Sequence, residues 1–506
     1  MKKTIGKIVG VLVFFVILLW PMDPAFFPVQ ATAASTLLMA IWWITEAIPI
    51  QATALLPIVL FPALGVLTAT DATAPYADKV IFLFMGGFII AMSMQRWGLH
   101  ERIALAILNL AGSDSRKLIF GFMVATAFLS MWISNTATAM MMVPIAIAII
   151  ATILPRNDLK LEEMDKSQRD FAECIVISIA YAASIGGLAT IIGTPPNGIF
   201  LAQMETIFPL APTIDFFTWM KFGLPLAIVF LPIAWAWLTY GPYRNMPKKI
   251  SHGHDIIQQR ISKLGPMSKG ERWTLMVFVM TAVAWIMRSE KDIGGLIIPG
   301  INTYMPWVHD STIAIAGALL LFLLPVDRKQ GIYTMNWEWA KKIPWGILIL
   351  FGGGIALSKA FIASGLAQEI IEVFTVFHGL PVVVAVVAVA VIVSFLTEVT
   401  SNTAMASVMI PIMAVTSLSM GIHPWILMLA ATFAASMAFM LPVATPPNAV
   451  AYGSGYITMH DMMRTGWVLN FVGIGILTVM MFTIITWALG LGSGIPTWAL
   501  EPVLGP

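Results

Sequence analysis

A polar triplet, Ser-Asn-Thr, occurs twice in this sequence and decides how the rest is interpreted. It lies at residues 134–136 within FLSMWISNTATAMMMVP (128–144) and at residues 401–403 within SFLTEVTSNTAMASVMIP (394–411). Both copies interrupt a long apolar stretch, and in both a proline stands eight residues after the threonine. The shared context indicates that the two stretches have the same role in a duplicated chain.

Residues around the triplets also recur, at a constant offset of 267 positions. The pairs extend over about sixty residues and are Phe84/Phe351, Gly86/Gly353, Gly87/Gly354, Gly98/Gly365, Leu99/Leu366 and Pro144/Pro411. A constant offset over this length indicates an internal duplication.

A second motif, Thr-Pro-Pro-Asn, occurs at residues 194–197 and 445–448, at an offset of 251. The first copy is therefore sixteen residues longer between its two motifs. The charged run PRNDLKLEEMDKSQRD at 155–170 has this length, whereas the second half passes through the uncharged segment 421–424. One insertion, with the composition of a solvated loop, accounts for the change in offset.

The composition is that of a protein that crosses a membrane several times. Hydrophobic residues make up 59% of the chain and charged residues 11%, and the mean hydropathy is +0.87. A soluble chain of 506 residues could not bury this much apolar surface. We expect an all-α polytopic membrane protein with roughly ten to twelve spans of about twenty residues, plus re-entrant pieces. The net charge of +2 is not that of a nucleic-acid-binding protein.

Basic residues in the polar segments predict the topology, because short cytoplasmic loops are rich in Lys and Arg. The segment 241–272 is rich in both, as is the insertion at 155–170, and neither residue occurs after Arg464. We therefore expect a plasma (cytoplasmic or inner) membrane protein with a cytoplasmic N-terminus, an external C-terminus and a second repeat inverted relative to the first. The expected parts are the N-terminal end with the first span (1–31), the first repeat (32–240), a cytoplasmic linker (241–272), the second repeat (273–492) and the external C-terminus (493–506).

The two motifs predict breaks in membrane helices. The apolar stretch 118–154 is too long for one span, and the Ser, Asn and Thr at 134–136 favour the start of a helix, so we expect two shorter helices that meet at a polar tip formed by this triplet. Proline suits the first turn of a helix and disrupts its interior, so the span 180–208 should unwind near Gly193 and restart at the prolines. Four helix N-termini would then surround one pseudo-two-fold axis. Such an uncharged polar cage suits an anion.

Single polar residues in membrane helices more often form helix–helix contacts than bind ligands. The repetition of both motifs favours the ligand interpretation here. Two carboxylates in apolar surroundings, Glu46 and Glu398, are further candidates for function, with a structural hydrogen-bonding role left open.

The two triplets, the elements GTPPN (193–197) and ATPPN (444–448), and TEAIPI (45–50) resemble the divalent-anion/sodium symporter family, which carries dicarboxylates, citrate or sulfate. The resemblance covers nearly the whole chain. It implies a homodimer in the lipid membrane, with two re-entrant hairpins, two unwound helices and elevator-type movement of the site. It also implies scaffold helices up to about residues 112 and 378, and transport parts at about 118–240 and 382–492.

The resemblance also implies site residues. A first sodium site would use Ser130, Ser134, Asn135 and the backbone at Gly193, and a second would use Thr397, Thr400, Asn402 and the backbone at Ala444. The substrate would meet Asn135, Thr136 and Thr194 on one side and Asn402, Thr403, Thr445 and Pro446 on the other. Thr400 departs from the pattern, because a smaller residue contributing its carbonyl is expected there, and the role of its side chain stays open.

The leading hypothesis is a secondary transporter of C4-type dicarboxylates, such as succinate, malate or fumarate, coupled to at least two sodium ions. Sodium-independent exchange of carboxylates is the alternative within the family. An anion channel and an integral membrane enzyme are alternatives from other classes; the enzyme would need a catalytic cluster in the membrane, and the His residues are scattered. Citrate and sulfate stay open as substrates.

Overall fold

The protein is almost entirely helical in a computed structural model, which describes residues 2–153, 164–250, 253–293, 296–374, 379–492 and 494–500. Most of the insertion predicted at 155–170 lies outside the described residues, as do parts of the linker predicted at 241–272 and of the C-terminus predicted at 493–506.

The first half of the chain forms helices α1 to α12. Their bounds are α1 Lys2–Leu18, α2 Phe27–Thr45, α3 Ile50–Thr53, α4 Leu56–Ala63, α5 Ala69–Thr73, α6 Lys79–Arg96, α7 Leu99–Asn109, α8 Ser115–Ser130, α9 Asn135–Ile153, α10 Lys166–Gly187, α11 Pro195–Ile207 and α12 Phe216–Tyr240. Short 3₁₀ helices lie at Pro24–Phe26, Ala74–Ala77 and Ile191–Gly193.

Helix α13 (Gly253–Leu264) links the halves, and the second half repeats the order of the first. Its elements are α14 Lys269–Ile286, β1 Lys291–Ile293, β2 Leu296–Ile298, α15 Ile301–Tyr304, α16 Asp310–Leu323, β3 Pro325–Asp327, β4 Ile332–Tyr333, α17 Trp337–Ala340, α18 Trp345–Ser364, α19 Leu366–Phe374, α20 Val382–Thr397, α21 Asn402–Ser419, α22 Pro424–Ala434, α23 Pro446–Gly453, α24 Met459–Met480, a π-helical turn Met481–Ile485 and α25 Thr486–Leu489. A 3₁₀ turn follows at Thr497–Ala499. Strands β1/β2 and β3/β4 form two small antiparallel hairpins outside the long helices.

Eight helical segments in the described part of the chain are long and apolar enough to cross a membrane. Four shorter apolar helices add to them: Ile50–Ala63, Asp310–Leu323, Val382–Thr397 and Pro424–Ala434. The sequence predicted ten to twelve spans, and the difference has a physical reason. Helices α20 and α22 end at breaks, and a helix that ends inside the protein can be shorter than the roughly twenty residues of a complete crossing.

Helices α10 and α22 form the centre of the protein. Residues 170–187 of α10 and every residue of α22 are buried. Small residues allow this packing; a Cβ atom at Gly186 of α10 would collide with the backbone of Ala127 in α8. The central helices are therefore surrounded by protein, which lets them be interrupted without exposing backbone groups to lipid.

The two repeats pack on each other reciprocally. Helix α9 contacts α23, and its partner in the second repeat, α21, contacts α11. Phe84 and Phe351, which the offset of 267 pairs, meet edge to face with ring centroids 4.8 Å apart. Both rings press against Gly198 of α11, where a Cβ atom would collide with them. This pair of residues therefore meets where the two repeats pack together.

Candidate functional site at the two helix breaks

Both polar triplets lie at the tips of helical hairpins, as predicted. Helix α8 ends at Ser130 and α9 begins at Asn135, while α20 ends at Thr397 and α21 begins at Asn402. Serine caps both returning helices, since Ser134 Oγ accepts a hydrogen bond from the N–H of residue 137 (3.4 Å) and Ser401 Oγ from that of residue 404 (3.5 Å). The first free N–H groups of α9 and α21 thus lie at the tips.

Both Thr-Pro-Pro-Asn motifs restart a broken helix, which confirms the second prediction. Helix α10 ends at Gly187 and α11 begins at Pro195, while α22 ends before the gap to α23, which begins at Pro446. Thr194 and Thr445 are the capping residues, both with extended backbones. Thr445 Oγ1 also accepts a hydrogen bond from the N–H of Asn448 (3.3 Å).

The asparagine of each motif holds the unwound backbone together. Asn197 Nδ2 donates to the carbonyl oxygens of residues 187 (3.1 Å) and 190 (2.8 Å), and Asn448 Nδ2 donates to those of residues 438 (3.1 Å) and 441 (3.0 Å). The acceptor residues of the two repeats correspond, because adding 251 to residues 187 and 190 gives residues 438 and 441. Both asparagines are completely buried. No role for this asparagine was predicted from the sequence, although its repetition was the available signal.

Oxygen atoms converge at the first tip. One terminal atom of the Asn135 amide lies 2.5 Å from Ser130 Oγ, 3.1 Å from the Gly193 carbonyl oxygen and 3.3 Å from the Ala183 carbonyl oxygen. If this atom is the amide nitrogen, it donates hydrogen bonds to all three; if it is the oxygen, four oxygens face one another around a point suited to a cation. Hard oxygen ligands of this kind fit sodium.

The second tip repeats the arrangement. Thr397 is the counterpart of Ser130. Its Oγ1 atom lies 2.7 Å from Asn402 Oδ1 and 3.0 Å from the Ala435 carbonyl oxygen. Thr400 Oγ1 donates to the Leu396 carbonyl oxygen (2.9 Å) within its own hairpin. Its hydroxyl is therefore engaged away from the oxygen cluster.

The remaining predicted residues lie at helix N-termini beside these clusters. Thr136 and Thr403 are the second residues of α9 and α21, and Pro446 is the first of α23. Thr403, Thr194 and Thr445 are buried, whereas Thr136 is half-buried. Ala444, predicted to offer its carbonyl oxygen, immediately precedes the capping Thr445 and is also buried. The structure thus brings a hairpin tip and a helix break together within each repeat.

Glu398 is buried at the second break, with 3% of its surface exposed. It accepts hydrogen bonds from three consecutive backbone N–H groups and one side-chain amide: Phe439 N (2.8 Å), Met440 N (2.9 Å), Leu441 N (3.0 Å) and Asn470 Nδ2 (2.7 Å). All four partners are donors, which suits an ionised carboxylate. Glu398 therefore fastens the unwound segment after α22 to the second hairpin and to α24.

In the first repeat, a different hydrogen bond connects the helix break to the hairpin. Met131 stands where Glu398 stands in the second repeat, and its carbonyl oxygen accepts a hydrogen bond from the Thr190 hydroxyl. The two helix breaks have similar backbone structures, but Glu398 gives the second break a negative charge and Met131 gives the first break none.

Glu46, the other carboxylate predicted to lie in the membrane, is at neither helix break. It is exposed at the end of α2 with a φ of 49°, and Lys3 Nζ lies 3.7 Å from its carboxylate. Glu46 therefore ends a helix beside Lys3 and does not take part in the polar tips. Its apolar sequence neighbours belong to α2 and to the turn that follows, which ends the helix at this point.

Comparison with known protein families agrees with this architecture. The family model described as the sodium:sulfate symporter transmembrane region matches residues 1–493. The chain belongs to this symporter family. The family resemblance in the sequence is thereby confirmed, and so is the prediction that the protein is a membrane transporter and not an enzyme.

Relatives in staphylococci are similar over nearly the full length. The sodium-dependent dicarboxylate transporter SdcS of Staphylococcus saprophyticus is 41% identical over 493 residues, covering 97% of this chain and 92% of the relative. SdcS of Staphylococcus aureus (strain MRSA252) is 42% identical over 505 residues, covering 98% and 93%.

Two solved membrane-protein structures share the fold. MtrF of Neisseria gonorrhoeae, described as one of a class of antimetabolite efflux pumps, has a TM-score of 0.59 at 14% identity over 96% of this chain and 100% of its own. The YdaH transporter of Alcanivorax borkumensis has a TM-score of 0.58 at 14% identity, covering 93% and 100%. At this identity the likeness concerns the fold alone.

Proposed function

We propose that the protein is a secondary transporter that couples uptake of a C4-type dicarboxylate, such as succinate, malate or fumarate, to sodium. The observation that carries this proposal is the repeated oxygen cluster beside a helix N-terminus at each tip. The names of the staphylococcal relatives support both the ion and the substrate class.

The first sodium ion would bind among Ser130, Ser134, Asn135 and the Gly193 carbonyl oxygen. Three of these groups already lie together, since Asn135 is within 3.1 Å of both Ser130 Oγ and the Gly193 oxygen. The second ion would bind among the backbone at Ala444 and the hairpin residues Thr397, Thr400 and Asn402, with the backbone oxygen of Thr400 as the available ligand because its hydroxyl bonds Leu396.

The substrate would lie between the tips, where Asn135, Thr136 and Thr194 face Asn402, Thr403, Thr445 and Pro446. Helix N-termini favour carboxylates, but each contributes only about half a charge. Lys and Arg are absent from the sequence of both tips and both breaks, and Glu398 adds a negative charge. An intramembrane charge costs at least about 2.5–3.5 kcal/mol, so two negative charges on the substrate require cations beside them. This balance supports at least two sodium ions per dianion.

The site would move across the membrane with the hairpins, as an elevator. The hairpins and broken helices pack mainly on one another, whereas α1, α2, α6, α14, α16 and α18 form most of the remaining contacts. This supports transport parts at about 118–240 and 382–492, and scaffold helices up to about 112 and 378. We further propose a homodimer in the inner membrane, with the N-terminus cytoplasmic and the C-terminus external.

Uptake by proteoliposomes tests the proposal. Succinate uptake should saturate, should rise with sodium with a Hill coefficient above one, and should stop when choline replaces sodium on both sides. Competition by malate, fumarate, citrate and sulfate would rank the substrates.

Each other mechanism predicts a different result. Uptake unchanged in choline would refute symport and favour exchange, which counterflow without sodium would then reveal. Flux that neither saturates nor responds to substrate on the opposite side would favour a channel.

A further inference from the structure

A groove of about 790 Å³ lies at the N-terminal end of α14, away from the two helix breaks. One wall is the first two turns of α14, and the other is the hairpin of β3 and β4 that follows α16. The lining residues are Lys269, Arg272, Trp273, Met276, Pro325, Val326, Asp327, Arg328 and Lys329.

Four basic side chains surround the groove, against one carboxylate. Asp327 is engaged in the turn of the hairpin, where its Oδ1 atom accepts hydrogen bonds from the backbone N–H groups of residues 329 (2.8 Å) and 330 (3.3 Å). Within the described residues, none of the four basic groups lies within 4.0 Å of a carboxylate. Nearby Arg102, by contrast, is paired with Glu271 at 2.6 Å. The groove therefore carries an excess of positive charge without an internal partner.

The floor of the groove is apolar and leads onto an exposed apolar surface of α14. Trp273 lies in this floor and ties α14 to the hairpin, since its Nε1 atom donates to the Pro325 carbonyl oxygen (3.2 Å). Met276 is exposed, and an exposed apolar track continues along α14 through Val279, Met280 and Val283. The four basic side chains of the groove therefore lie next to a row of exposed apolar side chains on α14.

The placement of these features matches the two ends of a phospholipid. Helix α14 begins at Lys269, and the segment 241–272 is predicted to be cytoplasmic, so the predicted topology places the four basic side chains at the membrane surface. The side chains of the apolar track are exposed along the helix. Arg and Lys bind phosphate oxygens strongly, and basic groups beside a membrane attract anionic headgroups. Trp near the end of a membrane helix is typical of the interface.

We propose that this groove binds an anionic phospholipid. The phosphate of the headgroup would lie among Lys269, Arg272, Arg328 and Lys329, and one acyl chain would lie along Met276 and Met280. The site goes beyond the proposed transport function and does not depend on which substrate is carried.

Lipid binding to the purified protein in detergent tests the proposal. Phosphatidylglycerol and phosphatidylcholine with the same acyl chains should be compared by native mass spectrometry, with sn-glycerol 3-phosphate as the soluble phosphate. We expect phosphatidylglycerol to bind in preference to phosphatidylcholine, and glycerol phosphate alone to bind weakly because it lacks the acyl chain.

The double variant Arg272→Gln/Arg328→Gln should lose this preference. Each removed charge weakens binding about fivefold, so two should weaken it about 25-fold. The control Lys248→Gln/Lys249→Gln removes the same charge from exposed positions outside the groove and should bind like the parent.

Several results would overturn the proposal. Equal binding of the two lipids to the parent protein would do so without any variant. A preference that survives in the groove variant, or is lost equally in the control, would place the lipid elsewhere. Binding of glycerol phosphate as tight as that of phosphatidylglycerol would identify a soluble phosphate compound as the ligand.

Discussion

Replacing Glu398 by Gln removes one negative charge from the second helix break and leaves the size of the side chain almost unchanged. In the parent, Glu398 Oε1 accepts from Phe439, Met440 and Asn470, and Oε2 accepts from Met440 and Leu441. Glutamine offers one oxygen and one NH₂ group. Whichever way it turns, the NH₂ group faces at least one buried backbone N–H.

The magnitude follows from that conflict. A buried donor left without an acceptor costs about 1–3 kcal/mol. The helix break that Glu398 stabilises also contains predicted ligands of the second sodium ion. The free energy of the unpaired donor should therefore destabilise the sodium-bound state. It corresponds to a sodium affinity about 5- to 150-fold lower.

The assay is the sodium dependence of thermal stability in purified protein without substrate, followed by sodium activation of succinate uptake. Both half-saturation concentrations should rise in Glu398→Gln. The control Glu46→Gln makes the same chemical change at an exposed helix end and should match the parent. The reasoning would be refuted if the half-saturating sodium concentration of Glu398→Gln were within twofold of that of the parent protein.

Three further predictions concern other parts of the molecule. Thr136→Ala and Thr403→Ala should each lower succinate uptake at least tenfold in protein that still purifies intact, whereas Thr478→Ala, on α24 away from the tips, should not; parental uptake in both tip variants would remove them from the site. Burial lowers the pKa of His423 from 6.5 to about 4, so unfolding binds a proton between these values and the melting temperature should fall as the pH drops from about 6.5 towards 4; His423→Gln should flatten this dependence, and an unchanged slope would contradict it. Because the single native cysteine is buried, Lys166→Cys should react with an impermeant reagent from the cytoplasmic side alone and Thr497→Cys from the external side alone; the opposite pattern would invert the topology.

Local chemistry made the breaks predictable from sequence. Serine is favoured as the residue that caps free N–H groups at a helix start, and proline is favoured in the first helical turn. Residues 134, 401, 195 and 446 therefore marked helix starts without any tertiary information. The offsets of 267 and 251 then placed the two copies in register. These features depend on neighbours within a few residues.

Tertiary partners were not predictable in the same way. The acceptors of Asn197 and Asn448 lie seven and ten residues earlier in each chain segment, across an unwound stretch whose course the sequence does not specify. The donors to Glu398 lie between 41 and 72 residues away. The position of Glu46 at the end of α2 was not predicted, because an apolar sequence environment does not distinguish the middle of a helix from its end.

The contact between Phe84 and Phe351 bears on the origin of the protein. Before the duplicated gene was fused, two identical copies of the repeat would have paired about a two-fold axis. A residue on that axis would have contacted the same residue of the other copy, so one mutation would have changed both sides of the contact. Fusion lets each half vary separately. The phenylalanines remain a matched pair, whereas positions 131 and 398 have diverged to methionine and glutamate. The two repeats are therefore still symmetric where residues 84 and 351 meet, whereas positions 131 and 398 differ in charge.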